Sequence, residues 1–307
     1  MILSKPNHIK IYGHRGARGD LPENTLESFL FLFENKINAF ETDILISKDL
    51  IPVITHDFRL DANMTKDSDG SWIKDENIKI YDLTYQEILK YDVGSINKLS
   101  SYGRRFLNQK SLENQKIPKL SDIFELINSN GIKDVVLNLE IKSTPIEDNL
   151  TPTPKEMVSI IKKEIEKSKL EEKILISSFD WRILKEFSLQ IPNIARGYLS
   201  FQQKTGVKIE KTIYKNSPWL DLTLEFNEYD LPGLIKQLGG KVWCPFYRDI
   251  RKKDVEIAHN ENLVVNVWTV NKENDMMRMI EYGVDAIITD YPLELKELCE
   301  KNNLKWF

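Results

Sequence analysis

Four histidines and two cysteines are all that a chain of 307 residues carries of these types, and both shortages are informative. Cys244 and Cys299 lie far apart, so no disulfide framework is expected and both read as free, buried thiols. That usage fits a reducing compartment. No apolar run reaches the roughly 18 to 20 residues of a spanning helix, which excludes an integral membrane segment. Residues 1–10 lack the apolar stretch of a signal peptide. A cytoplasmic location is therefore expected, or a periplasmic or secreted one if a leader has been removed. Excess charge of one sign is missing as well. A formal net charge of −4 gives no overall positive field to draw the chain to nucleic acid or anionic lipid, although local positive charge can still bind one phosphate. Internal repeats, low-complexity tracts and flexible linkers are absent too.

What is present is the composition of a globular protein, 41% hydrophobic and 29% charged. Short apolar, β-branched runs at residues 9–13, 40–46, 135–142, 174–179, 195–199, 242–246, 264–270 and 286–289 alternate with amphipathic stretches such as 24–35, 155–169, 181–189 and 273–282. That alternation predicts a parallel sheet covered by helices, and eight repeats in this length predict an α/β (β/α)8 TIM barrel. An open doubly wound sheet would carry a glycine-rich first βα turn, where this chain has Gly13-His14-Arg15-Gly16. A ninth strand candidate, 221–226, reads as irregular or extra. Residues 57–118 are too long for an ordinary βα loop and read as a cap inserted after the second strand, over the C-terminal face where barrel enzymes carry their sites. The whole chain, 1–307, reads as one barrel domain with that insertion.

The most informative segment is Phe40-Glu41-Thr42-Asp43-Ile44. Side chains two apart on a strand share a face. With Phe40, Thr42 and Ile44 against the helices, Glu41 and Asp43 point into the barrel. Val135, Leu137, Leu139 and Ile141 make the same outward set on a later strand, leaving Asn138, Glu140 and Lys142 inward. Buried like charges are costly unless a cation neutralises them. Glu41, Asp43 and Glu140 thus form an all-oxygen site suited to one divalent cation, Mg2+ or Ca2+, the alternative being pairing with arginine or lysine in the barrel mouth. His14 ends the first strand and His56 ends the apolar run 51–55. A histidine at a strand end is often only a hydrogen-bonded structural group, but two beside a carboxylate cluster can supply an acid and a base. His8 and His259 lack that setting and are expected at the surface or a helix end. Arg15 and Lys142 place positive charge by the same cluster, to bind phosphate or to balance the carboxylates. Trp268, inward-facing with Asn266, reads as core or as a wall for a small polar substrate.

These residues resemble the glycerophosphodiester phosphodiesterase family. The resemblance runs through Gly13-His14-Arg15-Gly16, Pro22-Glu23-Asn24-Thr25-Leu26, Glu41-Thr42-Asp43, Ser47-Lys48-Asp49 and His56-Asp57. It continues in Leu139-Glu140-Ile141-Lys142, Ser177-Ser178-Phe179, Val267-Trp268-Thr269-Val270-Asn271, Gly283-Val284-Asp285 and Thr289-Asp290. It implies a TIM barrel with an insertion after the second strand and a small-molecule glycerophosphodiester substrate. It also implies metal ligation by Glu41, Asp43 and Glu140, acid and base roles for His14 and His56, and phosphate contacts from Arg15 and Lys142. The insert is longer and more polar than in the simplest members, so the resemblance leaves specificity open. A barrel phospholipase acting on lysophospholipid or phosphoinositide head groups would favour an exposed apolar or basic lip, which the sequence of the insert does not clearly mark. A non-catalytic barrel would have lost a histidine or a carboxylate, and none is lost.

Overall fold

The structure, a computed structural model, describes residues 3–5, 7–202, 211–220, 225 and 230–307. In chain order the strands are β1 (His8–His14), β2 (Ala39–Ile46), β3 (Pro52–Ile54), β4 (Val136–Ile141), β5 (Ile174–Ser178), β6 (Ala195–Ser200), β7 (Val242–Pro245), β8 (Val264–Val267), β9 (Ala286–Thr289) and β10 (Lys305–Trp306). The helices are α1 (Leu26–Glu34), α2 (Tyr85–Ile88), α3 (Leu120–Ser129), α4 (Pro154–Ser168), α5 (Trp181–Gln190), α6 (Leu231–Gln237), α7 (Lys252–Asn260), α8 (Glu273–Tyr282) and α9 (Pro292–Lys301). Eight parallel strands, β1, β2 and β4 to β9, close into a (β/α)8 TIM barrel through pairing of β1 with β2 and with β9, while the short β10 adds a parallel pairing to β1 and β3 an antiparallel one to β2. No described helix is long and apolar enough to cross a membrane. Cys244 and Cys299 are free and buried.

Alternation along the strands divides the interior in two. Phe40, Ile44, Val135, Leu137, Leu139 and Ile141 join the main core between strands and helices, and Phe40 stacks on Phe29 of α1 at 4.4 Å. Tyr12, Ala39, Val136, Ala286 and Ile288 plug part of the barrel floor, leaving the polar residues above them at the C-terminal ends. Helices start where side chains satisfy free backbone N–H groups. Thr153 and Glu156 form a capping box on α4, with Pro154 in the first turn.

The structure adjusts three boundaries. α1 begins at Leu26 rather than 24, because Asn24 has φ 56° and Thr25 caps the helix through Ser28 N. β8 stops at Val267, so Trp268 sits just past the strand end, where it keeps a parallel bridge to Phe246 and packs on that ring at 5.3 Å. The run before His56 is β3, antiparallel to β2 and too short to show an alternating pattern. The expected strand at 221–226 falls, but for Glu225, outside the described residues. Residues 57–118 gather around this β2–β3 hairpin in an apolar cluster of their own, Leu60, Ile73, Ile80, Ile88 and Ile117 against Leu45 and Val53.

The turn leaving β1 is tightly packed. Gly16 has φ 87°, and a Cβ there would lie 2.3 Å from Ser28 Oγ, the oxygen that accepts from Ala17 N. Gly16→Ala is expected to cost about 1–3 kcal/mol of unfolding free energy. Urea unfolding checks this, and an unchanged midpoint would contradict it.

Candidate active site

Strand register assembles the centre. Pairing sets His14 beside Glu41, Glu41 beside Asn138, and Asp43 beside Glu140. One oxygen from each of Glu41, Asp43 and Glu140 lies within 4.8 Å of the others, and all three side chains are buried. Their surroundings compensate part of this charge. Arg15 N donates to Glu41 Oε2 at 3.0 Å, Asn24 Nδ2 to Asp43 Oδ2 at 3.1 Å, and Lys142 Nζ to Glu140 Oε1 at 2.6 Å. Arg15 Nε stands 3.3 Å from Asp43. Glu41 Oε1 and Asp43 Oδ1 are nevertheless buried without a hydrogen-bond partner. Buried, orphaned carboxylate oxygens in such a cluster fit a hard divalent cation, which takes oxygen ligands. The site therefore has the donor set to hold one metal ion.

The electrostatics agree. Burial, and then the charges of Asp43 and Glu140, push the Glu41 carboxyl well above its ordinary pKa. Burial raises Glu140 too, against the pull of Lys142. Burial works the same way on Asp43, but His56, Arg15 and Lys142 outweigh it and hold that carboxyl low. A cation among the three would return Glu41 to its ionised form.

The two histidines are held differently. His14 Nδ1 lies 2.7 Å from Asp290 Oδ1, and its Nε2 stands 3.7 Å from Glu41. A carboxylate only accepts, so Nδ1 carries the proton and Nε2 is the basic nitrogen. Asp290 in turn takes Arg18 through both oxygens, at 2.7 and 2.9 Å, and Asn271 at 2.6 Å. Burial, and then the Arg18 charge, lower His14 to about 4 despite Asp290. His56 Nδ1 lies 2.7 Å from Asp57. It is only partly buried, and desolvation with Arg15 and Lys142 keeps its pKa well below the usual value. His259, exposed on α7, pairs with Asp285 at 2.9 Å at the opposite end of the barrel, and His8 packs edge-on to Phe307 there.

His14, Arg15, His56, Glu140, Lys142 and Trp268 all line one open cavity of about 790 Å³. Its other wall is aromatic. Trp268 meets Phe179 at 5.2 Å and Phe201 at 6.2 Å. Arg18, Glu23 and Asp290 were not singled out as site residues by the sequence reading. Each lies within the quoted motifs or next to them, but their partners are distant in sequence: Asp290 meets His14 across 276 positions, and Glu23 meets Tyr102 across 79.

The model of the glycerophosphoryl diester phosphodiesterase family matches residues 14–294. A glycerophosphodiester phosphodiesterase of Caldanaerobacter subterraneus is 31% identical over 291 residues, covering 95% of this chain and 98% of its own. The crystal structure of a candidate glycerophosphoryl diester phosphodiesterase from Silicibacter pomeroyi superposes with a TM-score of 0.87 at 34% identity, over 99% of this chain and 98% of that one. An Oleispira antarctica phosphodiesterase, solved with its product sn-glycerol-3-phosphate, has the same fold, with a TM-score of 0.70 at 24% identity over 95% and 96% of the two chains.

Glu23 gives a test of the charge network. Burial would raise it, yet Arg15 and Arg18 hold it down at about 2, with Arg15 Nη1 2.7 Å away. A depressed pKa contributes stability that is present above the ordinary value of 4.5 and lost as pH falls through about 2. Glu23→Gln, which takes one carboxylate from Arg15 and Arg18 and leaves them Asp43 and Asp290, is expected to cost about 3 kcal/mol near neutrality. The gap from wild type should narrow between pH 4.5 and 2, as read by urea unfolding across pH. A gap that stays constant would contradict the assignment.

Proposed function

The chain belongs to the glycerophosphoryl diester phosphodiesterase family, and we propose on that premise that it hydrolyses glycerophosphodiesters to glycerol 3-phosphate and an alcohol, using one divalent cation and a histidine acid/base pair. Membership makes it a hydrolase of phosphodiesters. The observation that carries the finer reading is the buried carboxylate triad with two orphaned oxygens, one member of which, Glu140, lines the same cavity as both histidines.

Glu41, Asp43 and Glu140 would hold the ion, Mg2+ or Ca2+, which when bound supplies positive charge for the phosphoryl oxygens. Lys142 and Arg15 add fixed positive charge on the same side, where the phosphoryl group gains negative charge in the transition state. Both are already tied to carboxylates, so they are positioned before substrate arrives. His14 presents Nε2 to the cavity because Asp290 occupies its other nitrogen. His56 faces the cavity from the insert side. One accepts the proton of the nucleophile and the other delivers a proton to the leaving alcohol. Trp268, pinned by its Nε1 bond to Cys244 O at 2.8 Å, walls the glycerol moiety.

Exhaustive chelation with EDTA is expected to abolish hydrolysis of glycerophosphocholine and glycerophosphoethanolamine, and Mg2+ or Ca2+ to restore it. Full turnover by protein free of metal on elemental analysis would refute the cation.

Positioned proton transfer contributes about 10²–10⁴-fold to a rate. His14→Ala and His56→Ala should each lower kcat by at least roughly 10²-fold with the fold intact, while His259→Ala stays near wild type. A His56→Ala enzyme within a few-fold of wild type would remove that residue from the mechanism.

A further inference from the structure

Residues 98–110 form the rim of the cavity on the insert side, around the short helical turn Gly103–Phe106. Between positions 93 and 112 the chain has four cations, Lys98, Arg104, Arg105 and Lys110, and no acidic residue. All four are exposed, and between them stand two bare leucines, Leu99 at 86% exposure and Leu107 at 58%. The loop is tied into a single unit. Lys98 Nζ donates to Leu107 O at 2.7 Å and Arg104 Nη1 to Leu99 O at 2.8 Å. The flanking Asp92 spends its carboxylate on the backbone N–H groups of Gly94, Asn114 and Gln115. The underside is anchored in the site. Phe106 is buried beneath Arg18, Tyr102 Oη donates to Glu23 at 2.7 Å, and Gln109 Nε2 to Arg18 O at 2.8 Å.

We propose that this lip docks the protein on an anionic phospholipid surface, with Leu99 and Leu107 entering the headgroup region and the four cations facing lipid phosphates. Clustered cations attract an anionic leaflet, and apolar side chains beside them add burial that a purely electrostatic partner would not reward. The net charge of −4 does not oppose this, since screening confines the interaction to within about 8–10 Å of the surface. Tyr102 and Arg105 belong to both lip and cavity wall, so docking sets the cavity mouth against the lipid. The docking stands apart from the proposed hydrolysis and is tested by binding alone.

The test is co-sedimentation of the full chain, with Mg2+ present, on phosphatidylcholine vesicles with and without phosphatidylserine. Wild type is expected to bind the mixed vesicles, to bind the neutral ones far more weakly, and to release as salt rises. Lys98→Glu with Arg104→Glu should lower the partition coefficient on the order of a hundredfold. Leu99→Ser with Leu107→Ser leaves both carbonyl tethers in place and should lower it several-fold. Both variants should hydrolyse soluble glycerophosphodiester at the wild-type rate if the proposed activity is right. A wild type that binds vesicles but hydrolyses nothing would overturn that activity and leave the docking standing. Absence of binding, equal binding to neutral vesicles, variants that bind like wild type, or binding to DNA in place of vesicles would each overturn the docking.

Discussion

Three carboxylates buried within 4.8 Å of one another are the constraint on which the rest of this molecule depends. Like charges taken out of water repel strongly and lose hydration, so such a cluster survives only where the fold supplies compensation. The register of β1, β2 and β4 creates the problem by setting His14, Glu41, Asp43 and Glu140 at neighbouring levels. The loop that follows β1 answers it. Arg15 and Asn24 both take left-handed backbone, at φ 52° and 56°, which delivers an amide, a guanidinium and a carboxamide to the same carboxylates. A non-glycine residue held there is a local cost, and it is found at the residues that meet the charges.

Compensation then spreads outward as alternating charge. Asp43 is faced by Arg15, Arg15 by Glu23, Glu23 by Tyr102 and Arg18, and Arg18 by Asp290, which holds His14. The chain begins at one carboxylate of the triad and returns to the histidine beside another. It also crosses from the barrel into the insert at Tyr102. Arg18 keeps Asp290 ionised, while its own charge helps to keep His14 neutral. Asp290 thus fixes the histidine's tautomer without making it an imidazolium.

Much of this was legible in the sequence because period-two alternation reports directly on facing. The outward set Val135, Leu137, Leu139 and Ile141 is enough to place Glu140 inward, and eight apolar runs point to a closed barrel. Helix ends were less legible, since Asn24 looks helical until its backbone angle is known. The Asp290–His14–Arg18 contacts were not legible, although the residues themselves fell in or beside recognisable motifs. They arise from barrel closure, which joins the first strand to the last, and no local pattern carries that pairing. Of the aromatic wall only Trp268 was legible, for a similar reason. Phe179, Phe201, Phe246 and Trp268 come from four different strand ends and meet only around the ring.

The insert shows why composition can mislead about partners. Summed over the chain, charge is slightly negative and argues against any anionic surface, and the pair Arg104–Arg105 alone is unremarkable. What changes the reading is geometry. A turn that buries Phe106 against Arg18 has to leave its neighbours outside, so Leu99 and Leu107 emerge together among cations. A solvated loop has no need of two exposed leucines tethered by the lysine and arginine beside them. The anchoring residues of the lip are also partners of the charge network. Tyr102 of the lip therefore lies three contacts from the carboxylates, by way of Glu23 to Arg15 and Arg15 to Asp43. An enzyme whose cavity opens through such a rim has its mouth and its charge network held by the same side chains.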